Sequence, residues 1–484
     1  MRQLESTTGQ TAVVIGGSMA GLLAARVLAA SMERVILVER DRFPDGPTFR
    51  AGVPQSRHAH LLLERGRRVL DRLFPGFTTE LLSAGAVPID FPADVLWLST
   101  AGWAERFHTG RRLLSASREL IEWTVRRRVT ALPNVQVREH SDVVDLIAGA
   151  NRNTVGGVRL RERGASAASG GAGSILPANL VVDASGRDSH AAPWLEALGY
   201  GRTEETRINA HVGYASRLYA PPVGIEIDWK MLFLQGTPPE GTRGAVLLPL
   251  EGGRWLVTLG GVNEDYPPTD EGGFLSWTQG LRSPILHEVL QTATPLSPVY
   301  GHRHMENRRR HFERLDRWPE GFVVMGDATC AFNPIYGQGM SVAANEALIL
   351  DRGLRGKGQR RPSSDRSGLT QGIQHDITKA QETPWLMATG IDLRYPGTEG
   401  PHPNLVARLT NRYFDLVMEV ATANPHVNAA FGDVTNLLAS PASLFHPRVL
   451  LPVLRGGVHG PSQPPTTWKA LSRREEEAAR LTQE

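Results

Sequence analysis

Residues 11–40, TAVVIGGSMAGLLAARVLAASMERVILVER, constrain this chain more than any other segment. Thr11–Ile15 is a β-branched run fit for a buried parallel strand. Gly16-Gly17-Ser18 forms a turn, Met19, Leu22, Leu23, Val27 and Leu28 recur at helical spacing, and Arg34–Val38 reads as a second strand. A strand, turn, helix and strand within about thirty residues make a βαβ unit, which commits this end of the chain to a parallel sheet. Gly16-x-Ser18-x-x-Gly21 is a variant of the glycine fingerprint that brings a dinucleotide's pyrophosphate onto bare N–H groups at a helix N-terminus. Ser18 stands at the middle glycine position, and Met19 and Ala20 open the helix. Glu39 lies 23 residues after Gly16, at the end of the second strand and just before Arg40. An acid there holds adenosine ribose hydroxyls, which favours FAD or NAD over NADP.

The same run has the outline of a secretory signal. However, Glu5 precedes it, Gly-Gly-Ser interrupts it, and Arg26 stops it at about half the length of a bilayer helix. No later stretch reaches about 18 apolar residues, so the expectation is a cytoplasmic protein with no membrane span. The 484 residues suggest roughly three domains. With 53 Lys+Arg against 50 Asp+Glu, the charge gives no reason to expect nucleic acid. The single cysteine, Cys330, excludes a disulfide framework or a cysteine metal site within one chain. His58 with His60, and His302 with His304, lack neighbouring acids or cysteines, so no metal is expected.

A second motif, VVMGDATCAFNPIYGQGM (323–340), places Gly326-Asp327 at a strand end and a Pro/Gly turn before a helix over about 337–354. A carboxylate at such a point can accept hydrogen bonds from a hydroxylated chain. Gly337 and Gly339 can bring N–H donors to a ligand carbonyl or phosphate. Between 205 and 265, apolar runs separated by Gly/Pro turns suggest an antiparallel sheet. Residues 57–77 read as one amphipathic helix, 117–131 as another capped by Ser117, and 371–390 and 403–440 as further helices.

Together these motifs resemble the class A (single-component) flavoprotein monooxygenases, with the para-hydroxybenzoate-hydroxylase-like fold. The resemblance implies FAD as cofactor, with Asp327 at its ribityl region and Pro334 to Met340, including Gly337 and Gly339, lining the isoalloxazine. It assigns Arg118, in SASRELIEW, to the cofactor, and brings Gln55, Arg57 and His58 of RAGVPQSRHAH near it. That last segment is similar to a subset from actinobacterial polyketide pathways, polyether epoxidases among them. LVVDASGRDSHAAPWL matches the family's D-G motif at Asp183, Gly186 and Ser189. The family has a basic residue about three positions after that serine, whereas this chain has Ala191-Ala192-Pro193, with Asp188 adding an acid and Arg187 a cation.

The fold class expected is α/β: a Rossmann-like FAD-binding domain with a parallel sheet (1–198 and 296–360), an inserted α+β substrate domain with an antiparallel sheet (199–295), and a helical C-terminal region (361–484). The resemblance implies that NAD(P)H reduces FAD, O₂ adds to give a flavin C4a-hydroperoxide, and oxygen passes to an apolar, polyketide-like small molecule by epoxidation or hydroxylation. The alternative is a non-redox [4+2] cyclase that forms a dialkyldecalin from a linear polyene, with FAD structural.

Overall fold

The computed structural model describes residues 9–151, 153–164, 173–223, 225–303, 305–334, 337–356, 368–401, 404–456, 460–465 and 469–470. Five parallel strands form the sheet that carries the N-terminal motif: β1 (Thr11–Ile15), β2 (Arg34–Val38), β3 (Val135–Arg138), β4 (Leu180–Asp183) and β5 (Phe322–Val324), in the order β5-β4-β1-β2-β3. Burial on both faces explains the continuous apolar runs: all five residues of β1 are buried. One face packs under helices α1 (Met19–Leu28), α2 (Arg118–Thr130) and α3 (Gly339–Gly356), with Leu22, Leu23 and Ile121 in the core. The other face buries Val13, Ile36, Trp194 and Phe322. The register aligns Ile15 with Asp183 and Asp183 with Val324, so the turns after β1, β4 and β5 emerge side by side.

Two glycines make the first turn possible. Gly16 has φ +94°, and a Cβ there would stand 2.5 Å from the Ala184 carbonyl oxygen. A Cβ on Gly21 would lie 1.7 Å from the Gly16 carbonyl oxygen. Helix α1 therefore starts as close to β1 as backbone allows, as the fingerprint requires.

The second sheet has eight strands. Its antiparallel centre joins Gly213–Ala220, Arg254–Gly261, Arg243–Leu250 and Met231–Leu234. Side chains alternate across it with the period of two that strands impose. Leu232, Leu247 and Val257 face helices Glu271–Trp277 and Ile285–Thr292. Met231, Phe233, Val246 and Leu248 face the opposite way, toward Met418 and Phe431 of the C-terminal helices Leu405–Ala421 and Pro425–Thr435. Val95–Ser99 extends this sheet by pairing in parallel with Met231–Leu234, a long-range pairing that no local sequence pattern announces.

The helix expected over 57–77 runs only from Glu64 to Leu73. Leu61–Leu62 pairs with Leu114–Ser115 instead, which removes His58 and His60 from any helical face. The helix expected over 117–131 is α2, with Ser117 Oγ accepting from the Leu120 N–H at 3.1 Å. Residues 165–172, in a run of small polar residues, and 357–367, in a polar stretch, lie outside the described residues. Among the described residues, no helix is long and apolar enough to cross a membrane.

Gly21→Ala is expected to lower stability by about 1–3 kcal/mol, because the added methyl overlaps the Gly16 carbonyl. Denaturant unfolding of the purified variant checks this, and a stability within 0.5 kcal/mol of the parent (roughly the range of a harmless surface change) would show that the turn can open.

Candidate functional site

The turns after β1, β4 and β5 open onto a cleft of about 960 Å³. Its wall includes Gly16, Ser18, Met19, Ala20, Glu39, Arg40, Gln55, Arg118, Gly186, Gly326, Asp327, Pro334, Gly337, Gly339 and Met340. Gly21 sits behind this wall, against Gly16. Gly16 N–H donates to Val38 O (2.8 Å), Gly17 N–H to Glu39 Oε2 (2.7 Å) and Leu22 N–H to Ser18 O (2.9 Å). The N–H groups of Ser18, Met19 and Ala20 between them donate to no group among the described residues, and they face the cleft at the positive end of α1. Such a cradle of N–H groups can accept a phosphate or pyrophosphate.

Below the cradle lies a buried charge network that the motifs did not announce. The Arg50 guanidinium contacts Glu39 (3.2 Å), Asp41 (3.5 Å) and Glu122 (2.9 Å), and donates to Gly17 O (3.2 Å). Glu122 also meets Arg118 at 2.8 Å and accepts from Ser18 Oγ at 3.2 Å, while Arg118 Nη2 donates to Ser18 Oγ at 3.0 Å. Burial alone would raise the Glu122 carboxyl, but Arg118 and Arg50 outweigh it and hold that carboxyl below its ordinary value. Ser18 at the middle glycine position thus serves as a hydrogen-bonding link between α1 and α2. Glu39 accepts the Gly17 and Asp41 N–H groups and the Arg50 charge, so a ribose would share an already oriented carboxylate.

Several features fit a flavin dinucleotide. Arg118 Nη1 is buried without a hydrogen-bond partner although Nη2 is engaged by Ser18 and Glu122, leaving a cationic donor for a ligand oxygen. A Cβ on Gly339, or on Gly186, would meet nothing within 4 Å, so both wall positions border open space. Asp327 is half-buried in the wall. Burial pushes its carboxyl up, against the pull of Arg187, Arg118 and Arg310. Behind it, Glu346 of α3 is fully buried; its Oε2 accepts the Gly326 N–H at 2.6 Å and its Oε1 accepts from Gln381 Nε2 at 2.6 Å. Glu346 therefore sets the turn that presents Asp327.

Two expected residues stand elsewhere. Asp183 is buried outside the cleft wall, where it accepts the Ser185 N–H (2.9 Å) and the Ser189 hydroxyl (2.6 Å) and so shapes the Ser185–Gly186 turn. The Arg57 guanidinium stacks on Phe49 (3.6 Å) and Tyr300 (4.1 Å), away from the wall. Ile335, Tyr336 and His304 lie outside the described residues.

A second cavity, about 240 Å³ and largely apolar, lies between the second sheet and the C-terminal helices. Phe91, Trp97, Met231 and Phe233 line one side, Met418 and Phe431 the other. It meets the cleft where both are lined by Gln55, Ala59, His60, Pro334 and Gly337. His58 lines the apolar cavity but not the cleft. Burial, with Arg118 adding, holds the His60 imidazole down at about 4, so it is neutral at the junction. A long dinucleotide in the cleft would bring its far end to this junction, beside the apolar space.

Two outcomes follow for variants of this site. Asp327→Ala is expected to weaken flavin retention at least tenfold, since a hydrogen bond to a charged group contributes about 1.5–3 kcal/mol. Absorbance of the purified protein and FAD titration check this. Glu346 concerns pH: burial, with Asp327 adding, pushes its carboxyl up to about 7 from 4.5. Because the folded value is the higher one, its stabilising contribution is complete below about 4.5 and is lost as pH rises through about 7. Thermal melts of wild type and Glu346→Gln across that window should therefore converge or cross in favour of the variant as pH rises. A constant difference would overturn the assignment.

The FAD binding domain family matches residues 10–360. Protein Rv3254 of Mycobacterium tuberculosis is 32% identical over 419 residues, covering 86% of each chain. Among solved structures, 2-methyl-3-hydroxypyridine-5-carboxylic acid oxygenase superposes with a TM-score of 0.56 at 18% identity, covering 79% of this chain and 90% of that one. The Diels-Alderase PyrE3, from the biosynthetic pathway of pyrroindomycins, superposes at 0.58 and 14% identity, covering 89% and 81%. At these identities the two superpositions establish a shared fold. With the family match spanning the cradle, the Gly326-Asp327 turn and the helix after it, the chain belongs to the FAD binding domain family, and its cofactor is FAD.

Proposed function

We propose that this protein is an FAD-dependent monooxygenase that oxygenates an apolar, polyketide-like small molecule by epoxidation or hydroxylation, in natural-product biosynthesis. The observation that carries the reading is the junction of the cleft with the apolar cavity at Gln55, Ala59, His60, Pro334 and Gly337. FAD, once reduced by NAD(P)H, supplies the activation of O₂. The chain's own residues do the rest. Ser18, Met19 and Ala20 bind the pyrophosphate through their N–H groups, Glu39 and Asp327 take the sugar and ribityl hydroxyls, and Arg118 Nη1 faces a flavin or phosphate oxygen. Gly337 and Gly339 leave room for the ring, and Met231, Phe233, Met418 and Phe431 keep water from the reacting face. The division of the chain at 199, 296 and 361 belongs to this proposal: the inserted sheet supplies one wall of the substrate space.

A second reading, a cyclase acting by proximity and orientation on a linear polyene, draws on one observation. A nicotinamide cofactor carries a pyrophosphate, and the cation nearest the altered D-G motif has both terminal nitrogens engaged, with only its Nε buried and unpartnered. Arg187 donates from Nη1 to Glu306 O (2.8 Å) and from Nη2 to Phe332 O (3.0 Å). PyrE3, a Diels-Alderase of the same fold, lends that reading a precedent.

Mass spectrometry of the product, with and without NAD(P)H and O₂, separates the two. The monooxygenase reading expects a product heavier by one oxygen and formed only when both are supplied. A product of unchanged mass, formed anaerobically without reductant, would overturn it in favour of the cyclase.

A further inference from the structure

Many of the polar side chains that line the apolar cavity are already committed to partners in the protein. Trp97 Nε1 donates to Gln235 Oε1 at 2.9 Å, Tyr214 OH to Asn333 Oδ1 at 2.9 Å and Tyr395 OH to Gly241 O at 3.1 Å. His58 differs. Its Nδ1 lies 2.8 Å from Ser216 Oγ, Ser216 Oγ lies 2.6 Å from Thr258 Oγ1, and Thr258 Oγ1 accepts the Ala59 N–H at 3.0 Å. Ser216 and Thr258 face each other in register on two central strands of the second sheet, so the row is fixed by the ladder.

A backbone N–H can only donate, and this gives the row a direction. Running from Ala59 N–H to Thr258, from Thr258 to Ser216 and from Ser216 to His58 Nδ1, every hydrogen finds an acceptor. In the opposite direction the Thr258 hydroxyl hydrogen has no acceptor among the described residues, in a position where both hydroxyl residues are buried. His58 Nδ1 is therefore the acceptor, and the ring proton sits on Nε2. Burial, with His302, His60 and Arg57 adding, holds the imidazole down at about 3, so it stays neutral across the physiological range. Nε2 hydrogen-bonds to no described residue, and the ring borders the apolar cavity.

We propose that His58 is a specificity-determining residue, a pre-oriented Nε2–H donor that selects apolar molecules carrying a carbonyl oxygen and fixes which part of them faces the cleft. The inference rests on the reading of the apolar cavity as the substrate site. A neutral donor held in one direction in a largely apolar pocket discriminates strongly, because a molecule without the oxygen leaves a buried N–H unpaired. The same donor does not favour a carboxylate, since no Lys or Arg lines the cavity among the described residues.

The test uses the FAD-loaded full chain and two probes of similar length, 2-nonanone and 1-nonene, with binding followed by calorimetry. Wild type is expected to prefer the ketone about tenfold. His58→Phe should bring the two affinities within about twofold of each other, chiefly by weakening the ketone. Ser216→Ala, which keeps the ring but releases Nδ1, should reduce the preference part-way. Nitrogen-15 NMR of histidine-labelled wild type should show the Nε2–H tautomer of His58 between pH 5.5 and 8. A ketone preference that survives His58→Phe, or a His58 proton found on Nδ1, would overturn the proposal while leaving the cavity reading intact. If neither probe binds the yellow wild-type protein, the cavity reading itself fails and the proposal falls with it.

Discussion

The contact between Gly21 and the Gly16 carbonyl sets the geometry on which everything else depends. With 1.7 Å between a notional Cβ and that oxygen, only a glycine pair lets α1 begin directly above β1. The neighbouring strands β4 and β5 then deliver their own turns to the same place, because their registers with β1 are locked by the parallel ladder. A cradle of N–H groups, a Gly326-Asp327 strand end and a Gly337–Gly339 helix start thus come together from residues more than three hundred positions apart.

Charge, rather than packing, then gives this region its single arrangement. Arg50, Glu39, Glu122 and Arg118 are all buried, and each is paired. Such a network adds little net stability, but breaking it leaves an unpaired buried charge, which is costly. It therefore favours one orientation of Glu39 and Arg118 over all others before any ligand arrives. Arg118 Nη1, buried without a partner, is a donor of the network left for a ligand. Glu346 acts similarly on the opposite side of the cleft, where a buried carboxylate fixes the Gly326 N–H next to Asp327.

What could be read from the sequence was what depends on local geometry. The βαβ unit, the Ser117 cap and the Gly326-Asp327 strand end each follow from residues within a few positions of one another. The strands Met231–Leu234 and Arg243–Leu250 are legible as apolar runs between Gly/Pro turns, but with apolar residues on both faces the residue order does not say which face meets which layer. Arg50, Glu122 and Glu346 escaped because a buried charge is recognised only by its partners, and Arg50 meets Glu122 across 72 positions. The helix over 57–77 was read too long for a related reason: Leu61 and Leu62 have apolar side chains compatible with a helix, and only their distant partners at Leu114 and Ser115 draw them into a strand. Arg57, which the family resemblance brings near the cofactor, has its guanidinium over two aromatic rings, one of them Tyr300, a contact that local residue order does not announce. The contribution of Met418 and Phe431 to the apolar cavity was equally invisible, since helices so late in the chain carry no mark of what they cover.

The parallel pairing of Val95–Leu98 with Met231–Leu234 bears on how the molecule can be assembled. The second sheet is not a contiguous stretch of chain: one of its strands leaves the ribosome well over a hundred residues before its partner. Until that partner arrives, a run of buried apolar residues has an open edge of unpaired backbone, the kind of surface that recruits other strands. Long-range closure of this type is slow, and the nascent chain must keep the edge shielded in the meantime. A fragment ending after β4 would carry that exposed edge permanently, so the two halves of the molecule are bound to each other in biosynthesis as well as in the finished fold.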